Sequence, residues 1–387
     1  MIRNISVGID VCSSVVRVVV GEYLKGEKNP KIIGVGSTPS FGLRHGYVVN
    51  QAQAIASIRN AIAAAEKSSG VKIKRAFVAL SGATLRGELS SGAAIISKAD
   101  GEVTSLDIGK ALEDAEDSLS LGNKKIVHAH PVSFRLDGKE VFGRLEGMRG
   151  TKLEIKAIFI TYSVVHLEDL LSAIAEAGVE TMDVVASHVA AEGLCLSEKQ
   201  KIVGVALVDI GAEKSSVSVF ENGLLVSLYT FSIGSSDITN DIALGLKIPL
   251  AQAEELKLGT ESAEFPKKKL DEIIEARLCD VFESIDNHFK KIKRSELLPA
   301  GVVFIGGGAS TPGLLELSKV NLRLPSSIGT TEIFSNTKTK LRDSAWFPAL
   351  GLLSAGRSGA SFSAGTLDSL LRDLKNTLKS GLKQLMP

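Results

Sequence analysis

Residues 7–23 read VGIDVCSSVVRVVVGEY and residues 207–223 read LVDIGAEKSSVSVFENG. Both run from an apolar strand to an aspartate, through a turn of small residues, into a second strand rich in β-branched side chains. Each therefore predicts a β-hairpin with an acidic tip, at Asp10 and at Asp209. Each continues into a further strand, KIIGVGS at 31–37 and LLVSLYTFSIG at 224–234, and then into a helix, over 51–67 and 237–246. The same unit occurs twice about two hundred residues apart, which predicts a duplicated, two-lobed α/β fold.

Working outward from the hairpins, the stretch 82–160 has a different texture. Strands are expected at LSSGAAIIS, KKIVHAHPVSFRL and KLEIKAIFIT around a helix over 106–120, an α+β module inserted into the first lobe. Ser163 is the expected N-cap of VVHLEDLLSAIAEA, which Gly178 ends, so the chain re-enters the first lobe before the second begins. A second, largely helical insertion is expected over 234–300, containing the charged run PKKKLDEIIEAR. The strand GVVFIGGGAS then leads to a helix start at TPGLLELSK, and RSGASFSAG supplies a flexible linker over 356–365.

With 387 residues and 44% hydrophobic side chains, the chain can fill two or more subdomains. Forty-five basic against 44 acidic residues leave no global field to recruit nucleic acid. The three cysteines, Cys12, Cys195 and Cys279, show no CxxC spacing and an odd count, which fits a reducing compartment, and they are expected to act as small apolar residues. No run approaches the ~20 apolar residues of a membrane span, and no apolar signal core opens the chain, so neither export nor a span is expected.

Two acidic hairpins facing across a cleft suit a nucleotide: turn N–H groups cradle phosphates, and Asp10 and Asp209 would hold Mg²⁺ through water. Cys12, Ser13 and Ser14 in one turn, and Gly211 and Ala212 in the other, allow close approach of backbone to phosphate oxygens. Strand-end aspartates and turn glycines are commonplace, so neither hairpin alone decides the matter. The strand opening into Gly306, Gly307 and Gly308 adds a surface where a flat ring can lie on backbone, and Gly234 adds another small-residue turn. No Ser-His-Asp or Cys-His arrangement offers a different enzyme mechanism. His128 and His130 share a strand face, but with no third ligand nearby they read as a half-exposed strand surface rather than a metal site. Trp346, beside Phe347 and Pro348, reads as core.

The sequence resembles the actin-like ATPases, and within them the family of the bacterial cell-division protein FtsA. The resemblance rests on HAHPVSFRLDG (128–138), GMRGTKLEIKAIFIT (147–161), the connecting helix DVVASHVAAEG (183–193), TNDIALGLKIPLAQAEELK (239–257) and DSAWFPALGLL (343–353). It implies a duplicated actin-like, ribonuclease-H-like fold with an inserted subdomain. Subdomain 1A would span 1–81 and 161–200, subdomain 1C 82–160, subdomain 2A 201–233 and 301–355, and subdomain 2B 234–300. It further implies ATP with Mg²⁺, with Asp10, Ser13 and Ser14 at the first phosphate loop, Asp209 and Gly211 at the second, Gly306 to Gly308 at adenosine, and Glu254 with Lys257 flanking ribose and base. Implied partners are the FtsZ C-terminal peptide through 2B, later division proteins through 1C, and other copies in a head-to-tail polymer. The second loop departs from the family pattern DIGxGTT by reading DIGAEKSS. Lys214 adds charge near phosphate there, whereas Glu213 would repel phosphate unless directed to solvent. Cys12 stands where the first loop usually has glycine, so at most weak ATPase activity is expected. The segment 257–271 is shorter than usual, and Lys267, Lys268 and Lys269 either meet an acidic peptide or form a solvated charge run.

Over 366–387 the leucines Leu367, Leu370, Leu371, Leu374, Leu378, Leu382 and Leu385 recur at spacings of three and four, placing all of them within an arc of about 120°. Lys375, Lys379 and Lys383 line one flank, with Arg372 further round, against Asp368 and Asp373. The pattern predicts an amphipathic helix lying on an anionic membrane surface, the alternative being docking on the chain's own body. A helix of this kind is also what the resemblance implies. The protein is then expected at the cytoplasmic face of the cell membrane, at the division site, as a peripheral scaffold. A pilus-assembly adaptor of the PilM type is the competing expectation, and a sugar kinase or chaperone ATPase a third.

Overall fold

The computed structural model describes residues 4–355 except 28, 142, 260–264, 332 and 334–338. The linker expected over 356–365 and the amphipathic helix expected over 366–387 lie outside the described residues.

The first hairpin is β1 (Asn4–Val11) and β2 (Val15–Tyr23), paired antiparallel so that Asp10 stands opposite Arg17. β3 (Lys31–Pro39) follows, then a small hairpin of β4 (Leu43–Arg44) and β5 (Tyr47–Val48). Its turn places His45 (φ 50°) and Gly46 (φ 83°) in the left-handed region. Helix α1 (Gln51–Ser69) starts on Asn50, whose side chain accepts from the Gln53 N–H, and ends on left-handed Gly70. Its stripe of Ala54, Ile58, Ala61 and Ala65 is buried, and the helix lies beside β3. Gly36 permits this, because a Cβ there would lie 2.1 Å from the Ala61 carbonyl oxygen. β6 (Arg75–Leu80) runs parallel to β1.

The inserted module comprises β7 (Arg86–Ile95), α2 (Ser105–Asp117), β8 (Lys124–Leu136), β9 (Lys139–Val141) and β10 (Lys152–Ser163), with its own core of Ile108, Leu112, Leu145, Leu153 and Phe159. Helix α2 is opened by a capping box in which the Asp107 carboxylate accepts from the Thr104 N–H and Oγ1 and from the Ser97 N–H. At Ile126–Ala129 both faces of β8 are covered, so His128 is 3% exposed and not half-exposed as the alternation predicts. The chain returns through α3 (Val164–Glu176), β11 (Glu180–Ala186), α4 (Ser187–Cys195) and α5 (Glu198–Val203). Ser163 occupies the N-cap of α3, but its side chain makes no capping bond there. The stretch 183–193, expected to be helical throughout, divides: its first four residues belong to β11, which lies parallel to β6. The first-lobe sheet has the order β11-β6-β1-β2-β3.

The second lobe repeats the plan with β12 (Val205–Ile210), β13 (Ser215–Glu221), β14 (Leu224–Phe231), α6 (Ser235–Leu246), α7 (Leu250–Lys257), α8 (Lys267–Lys291), β15 (Val302–Ile305), α9 (Leu314–Leu322), β16 (Ser326–Ile328) and α10 (Phe347–Ala355). Between β15 and α9 the glycines open into a single 3₁₀ turn, Gly307–Ser310. The sheet order β16-β15-β12-β13-β14 continues into β7-β10-β8-β9 of the inserted module. The join is one bridge, Tyr229 to Arg86, reinforced by the Arg86 guanidinium 4.0 Å above the Tyr229 ring. Although it follows the second lobe in sequence, α10 packs on β1 and α4 of the first. Gly351 allows this contact, since a Cβ there would lie 1.7 Å from the Ala190 carbonyl oxygen. Trp346, 3% exposed, is core as expected, with the Arg17 guanidinium 5.8 Å from its ring centre. No helix among the described residues is long and apolar enough to cross a membrane.

Candidate functional site

The two hairpin tips and the Gly306–Gly307 turn converge on one cleft of about 300 Å³. Asp10, Ser13 and Ser14 line it from the first lobe; Asp209, Gly211, Glu254, Lys257, Gly306 and Gly307 line it from the second. Nine of the eleven residues singled out from sequence for nucleotide contact thus share one wall or another. Gly234 and Gly308 stand behind the lining. A Cβ on Gly234 would come 2.3 Å from the Ala212 carbonyl oxygen, and one on Gly308 2.4 Å from Ile210 Cγ2, so both are there for packing. Gly306 (φ 89°) abuts Asp209 Oδ1 at 2.2 Å from its notional Cβ, whereas nothing lies within 4 Å of a Cβ on Gly307. Gly307 therefore leaves open the surface on which a flat ring can rest.

In the first loop, Ser13 Oγ accepts from the Gly46 N–H at 2.9 Å. Cys12 is not a bystander: its thiol donates to both Asp10 oxygens at 3.3 Å, and burial, with Asp10 beside it, pushes its pKa up to about 12. Asp10 is 1% exposed, and burial raises its pKa against the opposing pull of Arg17, whose Nη1 lies 3.9 Å from Oδ2. Burial, and then the charge of Asp10, lift Asp209 to about 6, with Lys214 and Arg17 acting in the other direction. On α7, Lys257 is 5% exposed and donates to Glu254 Oε2 (2.7 Å), Thr239 Oγ1 (2.9 Å) and the Ser235 carbonyl (3.2 Å). The triple lysine of α8 divides, because Lys269 donates to the Gly245 carbonyl at 2.8 Å while Lys268 lies 3.9 Å from Glu272.

Glu213 is half-buried, lines the cleft and is engaged with the first lobe. Its carboxylate accepts from the His45 N–H at 2.5 Å, and its carbonyl lies 3.0 Å from His45 Nδ1, so the second phosphate loop is tied to the first lobe. Lys214 makes a second tie, donating to Ser81 Oγ at 2.8 Å while 8% exposed. Sequence reasoning missed Arg17, Ser81, Ser187, Ser235, Ser236 and Thr311, all of which line the cleft. Arg17 was within reach, since hairpin register sets it opposite Asp10. Ser187, 1% exposed at the start of α4, has a hydroxyl with no hydrogen-bond partner among the described residues, a group that a polar ligand would satisfy. Next to it His188 is fully buried, and burial followed by the charge of Lys214 lowers it to about 3, so its ring is neutral.

A nucleotide fits this lining, with N–H groups and serines at one end and an open glycine at the other. Asp10 and Asp209, expected to hold Mg²⁺ through water, both line the cleft, with Arg17 Nη1 3.9 Å from Asp10 Oδ2, and among the described residues no group of three His, Cys, Asp or Glu suited to direct metal ligation occurs.

Two lobes of repeated βββ-helix plan around a glycine-floored cleft define a protein of the actin-like ATPase fold. In fold the chain is similar to the PilM-PilN type IV pilus biogenesis complex, with TM-score 0.68, 17% identity and coverage of 91% of this chain and 98% of that one. It is also similar to MreB 5 of Spiroplasma citri bound to AMPPNP, with TM-score 0.52, 10% identity and 99% coverage of both. In sequence, residues 206–351 match the model of "Cell division protein FtsA", and residues 82–161 that of the "SHS2 domain inserted in FTSA". Cell division protein FtsA of Bacillus subtilis is 29% identical over 91% of this chain and 83% of its own length; that of Pseudomonas aeruginosa is 28% identical over 90% and 88%. The chain belongs to the FtsA family of cell-division proteins.

Proposed function

We propose that the chain is an ATP-binding scaffold of cell division that polymerises head to tail and tethers FtsZ filaments to the cytoplasmic face of the membrane. The observation that carries the nucleotide part is the convergence of Asp10, Ser13, Asp209, Gly211 and Gly307 on one cleft, with the unsatisfied Ser187 hydroxyl among them. The triphosphate lies between the two hairpin turns, the base against Gly307, and Glu254 and Lys257 beside the ribose. Hydrolysis is slow at most, because the second loop reads DIGAEKSS and Cys12 stands in the first, and the bound nucleotide is structural. Subdomain 2B, through α6 to α8, takes the FtsZ C-terminal peptide, and the inserted module meets neighbouring copies and later division proteins. The leucine face of 366–387, flanked by Lys375, Lys379 and Lys383, binds anionic lipid as a peripheral anchor. One such helix binds weakly, and a polymer carrying many binds by avidity.

Liposome flotation together with ATP titration tests the reading. The full chain floats with vesicles containing anionic lipid, and Leu374→Glu with Leu378→Glu stays in solution while binding ATP as before. Asp209→Ala weakens ATP binding without altering flotation. Flotation that survives loss of 366–387 would remove the tether, and equal ATP affinity with and without Asp209 would remove the site.

A further inference from the structure

Two consecutive residues at the tip of the second hairpin, Glu213 and Lys214, both reach out of their own lobe. The Glu213 carboxylate accepts from the His45 N–H at 2.5 Å, and the Lys214 ammonium donates to Ser81 Oγ at 2.8 Å. His45 lies in the turn between β4 and β5, and Ser81 follows the last residue of β6, so the two ties land on separate elements of the first lobe.

The landing points are themselves braced. The Ala83 N–H donates to the His45 carbonyl at 3.1 Å, and the Gly46 N–H donates to Ser13 Oγ at 2.9 Å. The hydroxyl of Tyr162, a fully buried side chain, lies 3.5 Å from both the Gly46 and the Ser81 carbonyl oxygens. Gly46 is where the pieces meet: a Cβ there would stand 2.5 Å from the Ser81 carbonyl oxygen and 2.9 Å from Lys214 Nζ. A side chain at that position would wedge the lobes apart, and glycine lets them close. Elsewhere the lobes share a buried apolar cluster that takes in Leu80 and Leu194 of the first and Leu207, Phe220 and Ile305 of the second. Such contacts are non-directional, whereas a hydrogen bond across the cleft is lost once its ends separate beyond about 3.5 Å. Glu213 and Lys214 also line the cleft they span, and its volume of about 300 Å³ is at the small end for a ligand site, as a cleft held shut would be.

We propose that Glu213 and Lys214 form a latch that holds the lobes closed over the cleft whether or not nucleotide is bound, so that its opening gates both entry and exit of ATP. The inference rests on the nucleotide reading above and concerns its kinetics. A contact made equally in the free and the bound state shifts no equilibrium between them, so the latch slows association and dissociation alike and leaves the affinity nearly unchanged.

The test is rapid filtration of the full chain with ATP radiolabelled at its α-phosphate, in buffer containing Mg²⁺, for the wild type, Glu213→Ala and Glu213→Gln. Uptake gives the association rate, a chase of unlabelled ATP the dissociation rate, and equilibrium retention the affinity. Glu213→Ala should raise both rates by roughly tenfold and hold the affinity within about threefold, with Glu213→Gln between it and the wild type. A change confined to one of the two rates makes Glu213 part of the binding surface rather than a gate and overturns the proposal, as do rates that stay the same. Failure of the wild type to bind ATP overturns the nucleotide reading and the latch with it. Melting curves establish that each variant is folded, and should Glu213→Ala not fold, Glu213→Gln is judged by the same criterion.

Discussion

Glu213→Ala should loosen the contact between the lobes without unfolding either. The substitution removes the carboxylate that accepts from the His45 N–H at 2.5 Å and leaves the backbone carbonyl near His45 Nδ1 and the Lys214 to Ser81 bond in place. A hydrogen bond from a backbone N–H to a charged acceptor contributes about 1.5–3 kcal/mol. Because Glu213 is half-buried, solvent screens part of this, and about 1.5 kcal/mol is the expected loss. That corresponds to roughly a tenfold rise in the population in which this contact is open. Residue-resolved hydrogen exchange on the full chain reads it directly, with an internal control one residue away. The His45 amide bonds across the cleft, whereas the Gly46 amide bonds to Ser13 Oγ in its own lobe. The His45 amide should exchange roughly tenfold faster in the variant and Gly46 unchanged, with Glu213→Gln in between. Acceleration of both amides together means the β4–β5 turn has melted, and acceleration of neither means the contact holds nothing; either result refutes the reasoning.

Three further outcomes are expected. Asp107→Ala removes the acceptor of the Thr104 and Ser97 bonds at the start of α2 and should destabilise the protein by about 2–3 kcal/mol, visible as a lower denaturation midpoint; an unchanged midpoint contradicts the capping argument. Glu192 is raised to about 7, chiefly by burial, so its contribution to stability is full below the unfolded carboxyl pKa and is lost as pH rises through about 7. Glu192→Gln should therefore gain on the wild type above pH ~7 by about 1–3 kcal/mol and flatten the stability profile between pH ~4.5 and ~7, as melts across that range would show. Gly351→Ala drives a methyl into the Ala190 carbonyl and should cost about 3 kcal/mol or more, lowering Tm and yield; a wild-type Tm would mean that α10 does not sit on α4 as described.

The hairpins were legible because each side chain that defines them is local: alternation marks the strands, small residues mark the turn, and the aspartate falls at the end. The register that follows even places Arg17 opposite Asp10. What could not be read depended on distant partners. RAFVAL and ETMDVVA form parallel strands buried between layers, and a short apolar run of that kind has no periodicity to separate it from a helix, so DVV was drawn into the helix that follows it. Glu213 looked hostile to phosphate because its true partner, His45, lies 168 residues away in sequence. His128 looked half-exposed because alternation along β8 does not reveal that both of its faces are covered. Ser187 carries no local signal at all, and only the fold shows that its hydroxyl lacks a partner.

The single bridge between Tyr229 and Arg86 has a mechanical consequence. The inserted module is threaded into the first lobe by its chain ends but continues the sheet of the second, so it straddles the line along which the lobes would part. Any tug on its outer strands, β8 and β9, runs along the sheet toward β14, which β7, β10 and β8 all approach. The module is in that sense a crank, and the bridge of Arg86 to Tyr229 is its hydrogen-bonded pin on the second lobe.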